Sequence, residues 1–130
     1  MKTLLPYIAF PGTCEEALTF YAKVFQGEIV SITTYSNSPV TVAESLKSRI
    51  FDSEFRAENL HFKASDDLPD FPITQGSNIS MFVKFTSQNE RRQTFEALSE
   101  GGQVLFPYDE HFCMLKDKFG LQWMLVPQNE

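Results

Sequence analysis

The chain reads as an α+β fold built from two tandem βαβββ modules, and three observations carry that expectation. The stretch from Ile8 to Ile29 recurs, much altered, from Val83 to Val104, at a constant offset of 75 positions: Phe10 matches Phe85, Phe20 matches Phe95, Ala22 matches Ala97 and Gly27 matches Gly102. Each copy places a strand-length apolar run ahead of an amphipathic helix with capping residues. Each helix is then followed by three strand-like segments. Two units are too few for a solenoid, which needs about three or more stacked repeats. A closed pair is expected instead, with a functional pocket where like halves meet.

The elements follow in order. Leu5–Phe10 and Ile79–Phe85 are the opening strands. Thr13 with Glu16, and Ser87 with Glu90, fit capping boxes, in which a hydroxyl accepts from the N3 amide and a carboxylate reaches back to the cap amide. Ala17, Phe20, Tyr21 and Val24 form the buried stripe of the first helix, and Thr94, Phe95 and Leu98 that of the second. Gly27 closes the first helix, and Gly101 with Gly102 the second. Strands are expected at Ile29–Tyr35, Ile50–Ala57 and Leu60–Ala64, then at Val104–Tyr108, Phe112–Lys116 and Leu121–Val126. Turns at Glu58–Asn59 and Asp117–Gly120 make the last two strands of each set a hairpin. Ser36–Lys47 is a polar loop. The boundaries are therefore module one at 1–65, a Pro- and Gly-containing linker at 66–77, and module two at 78–130.

Composition narrows the function. The formal charge of −6 and pI near 4.9 argue against nucleic acid, whose phosphates demand a basic stripe. Cys14 and Cys113 form no CxxC pair and read as two reduced, partly buried thiols, which points to a cytoplasmic location. No apolar run approaches the ~20 residues of a membrane span. Thirteen phenylalanines, four tyrosines and one tryptophan supply enough aromatic area either for a core or for an apolar cavity.

Strand alternation says which side chains meet. Asp52, Glu54 and Arg56 share one face, and Phe51, Ser53 and Phe55 the other. His61 and Lys63 oppose Leu60 and Phe62, and their repeat partners Gln122 and Met124 oppose Leu121 and Trp123. One face carries the helices and the other curls round a cleft. The expected cleft set is Tyr7, Asp52, Glu54, His61, Lys63, Ser80, Phe112, Gln122 and Met124, with Trp123 in the core. A one-residue register slip would exchange every one of these assignments.

The order βαβββ twice, the opening LLPYIAFPGTCEEALTFYAKVFQGEI, the segment TFEALSEGGQVLFP and the closing MLKDKFGLQWMLV resemble the PhnB-like branch of the vicinal oxygen chelate superfamily, which includes glyoxalase I, extradiol dioxygenases and bleomycin-resistance proteins. The resemblance covers Leu5 to Val126. It implies an incomplete curved β-barrel around a cavity, helices outside, commonly in a homodimer. Metal-using members carry a histidine on the first strand and a glutamate on the last strand of each module. Here the first-strand slots hold Leu5, Pro6 or Tyr7, and Asn78, Ser80 or Phe82, according to register, and the last-strand slots hold Lys63 and Met124. An ammonium and a thioether do not replace carboxylates, so no metal and no cofactor is expected. PhnB-like chains often carry His-Ala-Glu-Leu on the third strand, where this chain has Asp52, Ser53, Glu54 and Phe55. Asp52 and Glu54 supply only part of a coordination shell.

His61 beside Lys63 is a candidate base, and His111, after Asp109 and Glu110, reads as a surface residue. No G-x-S-x-G, HExxH, P-loop or Rossmann fingerprint is present, and a quinone methyltransferase reading finds no S-adenosylmethionine loop. Three readings stand. The favoured one is a module binding a small molecule in the cleft without the superfamily metal. The alternatives are a metal-dependent lyase or dioxygenase of the glyoxalase type, and a non-catalytic dimeric scaffold.

Overall fold

The computed structural model describes residues 1–129 and divides into two compact units, one from Met1 to Thr74 and one from Gln75 onward. Both have the same internal plan. In the first, β1 (Tyr7–Phe10), α1 (Cys14–Phe25), β2 (Glu28–Thr34), β3 (Ile50–Ala57) and β4 (Leu60–Asp66) form a four-stranded sheet in the order β1-β4-β3-β2. In the second, β5 (Met81–Phe85), α2 (Gln88–Ser99), β6 (Gln103–Phe106), β7 (Cys113–Lys116) and β8 (Gln122–Pro127) form the order β5-β8-β7-β6. The α+β class and the doubled βαβββ order therefore hold. Within each sheet the first strand runs parallel to the last and the other pairs are antiparallel. Short 3₁₀ turns at Tyr35–Asn37 and Glu44–Leu46 lie within the polar loop between β2 and β3.

Each helix dries one face of its own sheet. Tyr21 of α1 packs edge-on against Phe55 and Phe62, with centroids at 6.5 and 6.0 Å, and those two rings stack at 4.9 Å. Cys14, Ala17 and Leu18 complete the buried stripe, whereas Phe20 and Val24 are only half-buried. In the second unit Phe95 and Leu98 of α2 are buried, as are Leu115, Trp123 and Leu125 of the sheet. The indole of Trp123 donates to Asp117 at 2.9 Å, and Asp117 also accepts from the amides of Phe119 and Leu121. One buried carboxylate thus closes the β7–β8 turn and orients the tryptophan.

The helix ends depart from the expected caps in instructive ways. Ser87 caps α2 by accepting from the Glu90 amide at 3.1 Å. Thr13 makes no such bond; the cap of α1 comes from Asp66, 52 residues away, whose carboxylate accepts from the Cys14 amide at 2.8 Å and from the Ile50 amide at 2.9 Å. A carboxylate at a helix N-terminus is favoured by the exposed amides and by the dipole together. At the C-terminus of α1 the left-handed residue is Gln26, at φ 50°, not Gly27. Gly27 serves another purpose, since a Cβ there would lie 2.7 Å from the Arg56 carbonyl. The second unit divides the same two jobs between Gly101, at φ 75°, and Gly102, whose Cβ would collide with the Lys116 carbonyl. In the β3–β4 turn the positive φ falls on Glu58, at 52°, rather than on Asn59.

Two outcomes follow for stability. Asp66→Ala leaves two buried amides unpaired at ~1–3 kcal/mol each, so urea unfolding should show a loss of about 3 kcal/mol. Thr13→Ala should cost only a few tenths of a kcal/mol, because its hydroxyl makes no cap bond. Gln26→Gly relieves a left-handed strain of ~1–2 kcal/mol, offset in part by the entropy of the added glycine, and should raise stability by up to about 1 kcal/mol.

Candidate functional site

The pleat that buries Ser53, Phe55, Phe62 and Ala64 under α1 turns Asp52, Glu54, His61 and Lys63 to the opposite, helix-free face. The register then sets who meets whom. Tyr7 pairs with Lys63 across β1–β4, Lys63 with Glu54 across β4–β3, and Glu54 with Ser31 across β3–β2. Bulges between Ile29 and Ser31, and between Thr33 and Thr34, re-aim the edge strand, so Thr34 pairs with Ile50.

Five of the sequence-derived residues come together here. The Tyr7 phenol donates to one oxygen of Asp52 at 2.9 Å, and the Lys63 ammonium donates to the other at 2.9 Å. Glu54 accepts from His61 Nε2 at 2.8 Å, with the Arg56 guanidinium at 3.5 Å from the same oxygen. Because a carboxylate only accepts, this contact places a proton on Nε2 of His61. The side chains of Asp52, Glu54, His61 and Lys63 are a fifth to a third exposed, Asp52 at 34% and His61 at 21%, whereas Tyr7 is 54% exposed. They are fixed by ion pairing yet reachable by a solute. Partial burial, reinforced by the Asp52 carboxylate, pushes the Tyr7 phenol above its usual value.

The other four lie in the second unit. Gln122 is buried, and its carboxamide donates to the carbonyls of Ser77 and Ile79 and to the Ser80 hydroxyl, so Gln122 and Ser80 hold each other and the chain leading into β5. Met124 pairs with Phe82 on β5 and with Met114 on β7. Phe112 lies one residue before β7, its ring 5.3 Å from that of Phe106. The Asp109 side chain accepts from the amides of Phe112 and His111, which holds its carboxyl below the usual range and shapes the loop that presents Phe112. Beneath that loop, fully buried Arg91 donates to the carbonyls of Asp109 and Leu125, at 2.5 and 3.2 Å, and lies 4.2 Å over the Tyr108 ring. Its Nη1 stands 3.6 Å from Cys113 Sγ.

Met114 and Phe106 were missed by sequence reasoning, and the signal was present. They are the positions that correspond, through the repeat and the pairing, to Glu54 and Ser31. The row Tyr7–Lys63–Glu54–Ser31 in the first sheet becomes Phe82–Met124–Met114–Phe106 in the second. One sheet face is polar and the same face of its sister is apolar.

Cys14 and Cys113 are both buried, and desolvation pushes the Cys14 thiol up to about 12 and raises that of Cys113. Neither is an activated nucleophile.

The family model for 3-demethylubiquinone-9 3-methyltransferase matches residues 2–126. The chain belongs to this PhnB-like family. Among solved structures, protein PA1353 of Pseudomonas aeruginosa is 28% identical, with a TM-score of 0.87 over 98% of both chains. A PhnB protein of Bacillus cereus, described as a putative 3-demethylubiquinone-9 3-methyltransferase, is also 28% identical, with a TM-score of 0.76 over 97% of this chain and 99% of that one. The fosfomycin resistance protein FosX of Mesorhizobium loti shares the fold at 12% identity, with a TM-score of 0.65 over 97% of this chain and 92% of its own. At that identity the likeness to FosX shows a shared fold and no more.

The metal that the resemblance to the vicinal oxygen chelate proteins implies does not fit the residues present. Register settles the open slots: Tyr7 stands beside Lys63, and Phe82 beside Met124. A phenol, an ammonium, a phenyl ring and a thioether replace two imidazoles and two carboxylates. Among the described residues, no group of three or more His, Cys, Asp and Glu side chains converges to hold an ion. The methyltransferase in the family's description fares no better for a nucleotide cofactor. The turn into α1 is closed by Asp66 and that into α2 by Ser87, so neither is the open glycine-rich turn that cradles one.

The Tyr7 environment is checked by its titration. Absorbance at 295 nm, taken as the difference between the protein and its Tyr7→Phe variant, should rise with a midpoint above pH 10. Because the folded value exceeds the unfolded one, the stabilisation from neutral Tyr7 is complete below pH ~10 and is lost as pH climbs through the folded value. Asp52→Asn should bring the midpoint down.

Proposed function

We propose that this PhnB-like protein binds a small organic molecule on the helix-free faces of its sheets, without the superfamily metal, and that Tyr7, Asp52, Glu54, His61 and Lys63 supply the polar contacts. The observation that carries this reading is the coupled Tyr7–Asp52–Lys63 and Glu54–His61 network on a partly open sheet face. A sheet face that served only solubility has no need of bonds that hold a phenol, an imidazole and an ammonium in fixed directions. Fixed directions are what a binding site requires, because the ordering entropy is then spent on folding rather than on binding. Asp52 and Lys63 neutralise each other, as do Glu54 and the Arg56 guanidinium, which suits the hydroxyl and carbonyl groups of a ligand. On the second sheet, taken by itself, Gln122 and Ser80 hold each other and the chain leading into β5, and Phe112 and Met124 offer apolar contacts.

The reading is tested by a thermal-shift screen of small organic compounds, with hits measured by calorimetry. At least one compound should bind the protein and lose tenfold or more in affinity in Lys63→Met or Tyr7→Phe. Hits indifferent to every substitution on these faces would overturn it.

A further inference from the structure

The apolar sister face carries a more specific assignment. Its central row, Phe82–Met124–Met114–Phe106, crosses all four strands of the second sheet without interruption. Phe82 and Phe106 are 55% and 51% exposed. Three inter-strand steps make the row about 14 Å long, and it is one side chain wide. That is far less than the ~800 Å² each partner contributes to a stable protein interface, but it matches a two- or three-ring aromatic skeleton. Phenyl rings present their faces to a flat ring, and thioethers adjust to its outline and make favourable contacts at its edge.

Charge gives the ligand its sign. The pleat puts Lys84 of β5 on the same face as Phe82, and Lys116 of β7 on the same face as Met114. The remaining side chains that the register brings to this face are uncharged, so it carries two positive charges and no carboxylate in a chain of net charge −6. We infer that the helix-free face of the second sheet binds the ring system of an anionic aromatic compound, a carboxylate, sulfonate or phenolate, along the Phe82–Phe106 row with its charge toward Lys84 or Lys116. This deepens the proposed function and rests on it.

The probes are 8-anilinonaphthalene-1-sulfonate and N-phenyl-1-naphthylamine, which share rings and differ by the sulfonate. Fluorescence titration of the folded protein should show the sulfonate binding at least tenfold more tightly than the neutral amine, with the advantage shrinking as salt rises. Lys84→Gln with Lys116→Gln should remove most of that advantage and leave the amine unaffected. Phe82→Ser, at a half-exposed position that tolerates it, and Met114→Glu, which copies the residue of the sister sheet, should each weaken both probes tenfold or more. Each variant is accepted only with an unchanged melting curve, and Phe82→Ser carries the test if Met114→Glu fails to fold. Equal binding of the two probes, or binding indifferent to the row, overturns the inference. If screen hits remain sensitive to Tyr7 and Lys63 while the probes behave that way, the general binding function stands and only this assignment falls.

Discussion

The packing of one helix against one face of each sheet is the constraint from which the rest of this structure follows. Once Tyr21 is wedged on Phe55 and Phe62, the pleat leaves no choice about the neighbouring positions. Asp52, Glu54, His61 and Lys63 must point away from the helix, and the parallel pairing of β1 with β4 must bring Tyr7 alongside Lys63. The close approach that makes this wedge possible depends on Gly27 under the Arg56 carbonyl, and the second unit repeats the device at Gly102. Duplicated packing has preserved duplicated geometry. What has diverged is the chemistry of the side that packing does not dictate, whose central row is charged and hydrogen-bonded in one unit and apolar in the other.

Two buried carboxylates show how polar groups stabilise such small sheets without entering that open face. Asp66 joins the start of α1, the start of β3 and the end of β4 by accepting two amides, while Asp117 joins a turn to an indole. Neither belongs to the repeat, since each solves a local problem of its own unit. Both satisfy backbone or indole donors that burial would otherwise leave unpaired at a cost of ~1–3 kcal/mol each.

Much of this was legible in the chain itself, because its signals are local. The constant offset between the halves, the strand runs and the Gly-containing turns define the doubled order of elements, and period-two alternation assigns Trp123 to the core and His61 and Lys63 to the other side. What was not legible depends on pairing between distant segments. Nothing near Thr13 announces that Asp66 will cap its helix, and nothing in the opening strand alone chooses Tyr7 over Leu5 or Pro6 as the neighbour of Lys63. The apolar row through Met114 and Phe106 crosses a bulge between Val104 and Phe106, which defeats simple alternation in β6. Gln26 in a left-handed conformation was likewise hidden by the glycine next to it.

The guanidinium of Arg91 has a consequence for how the second unit comes apart. It is wholly enclosed, and it is solvated by the Asp109 and Leu125 carbonyls and the Tyr108 ring in place of water. Peeling the segment between β6 and β7 off the helix would strip this cation of the Asp109 carbonyl and the Tyr108 ring and leave it the Leu125 carbonyl and the Gln88 carboxamide, and arginine has no neutral form to retreat to. That segment, polar and mostly exposed along its outer side, is therefore held more firmly than its exposure suggests. Its opening carries the cost of part of that desolvated cation's shell, which couples it to α2 and β8.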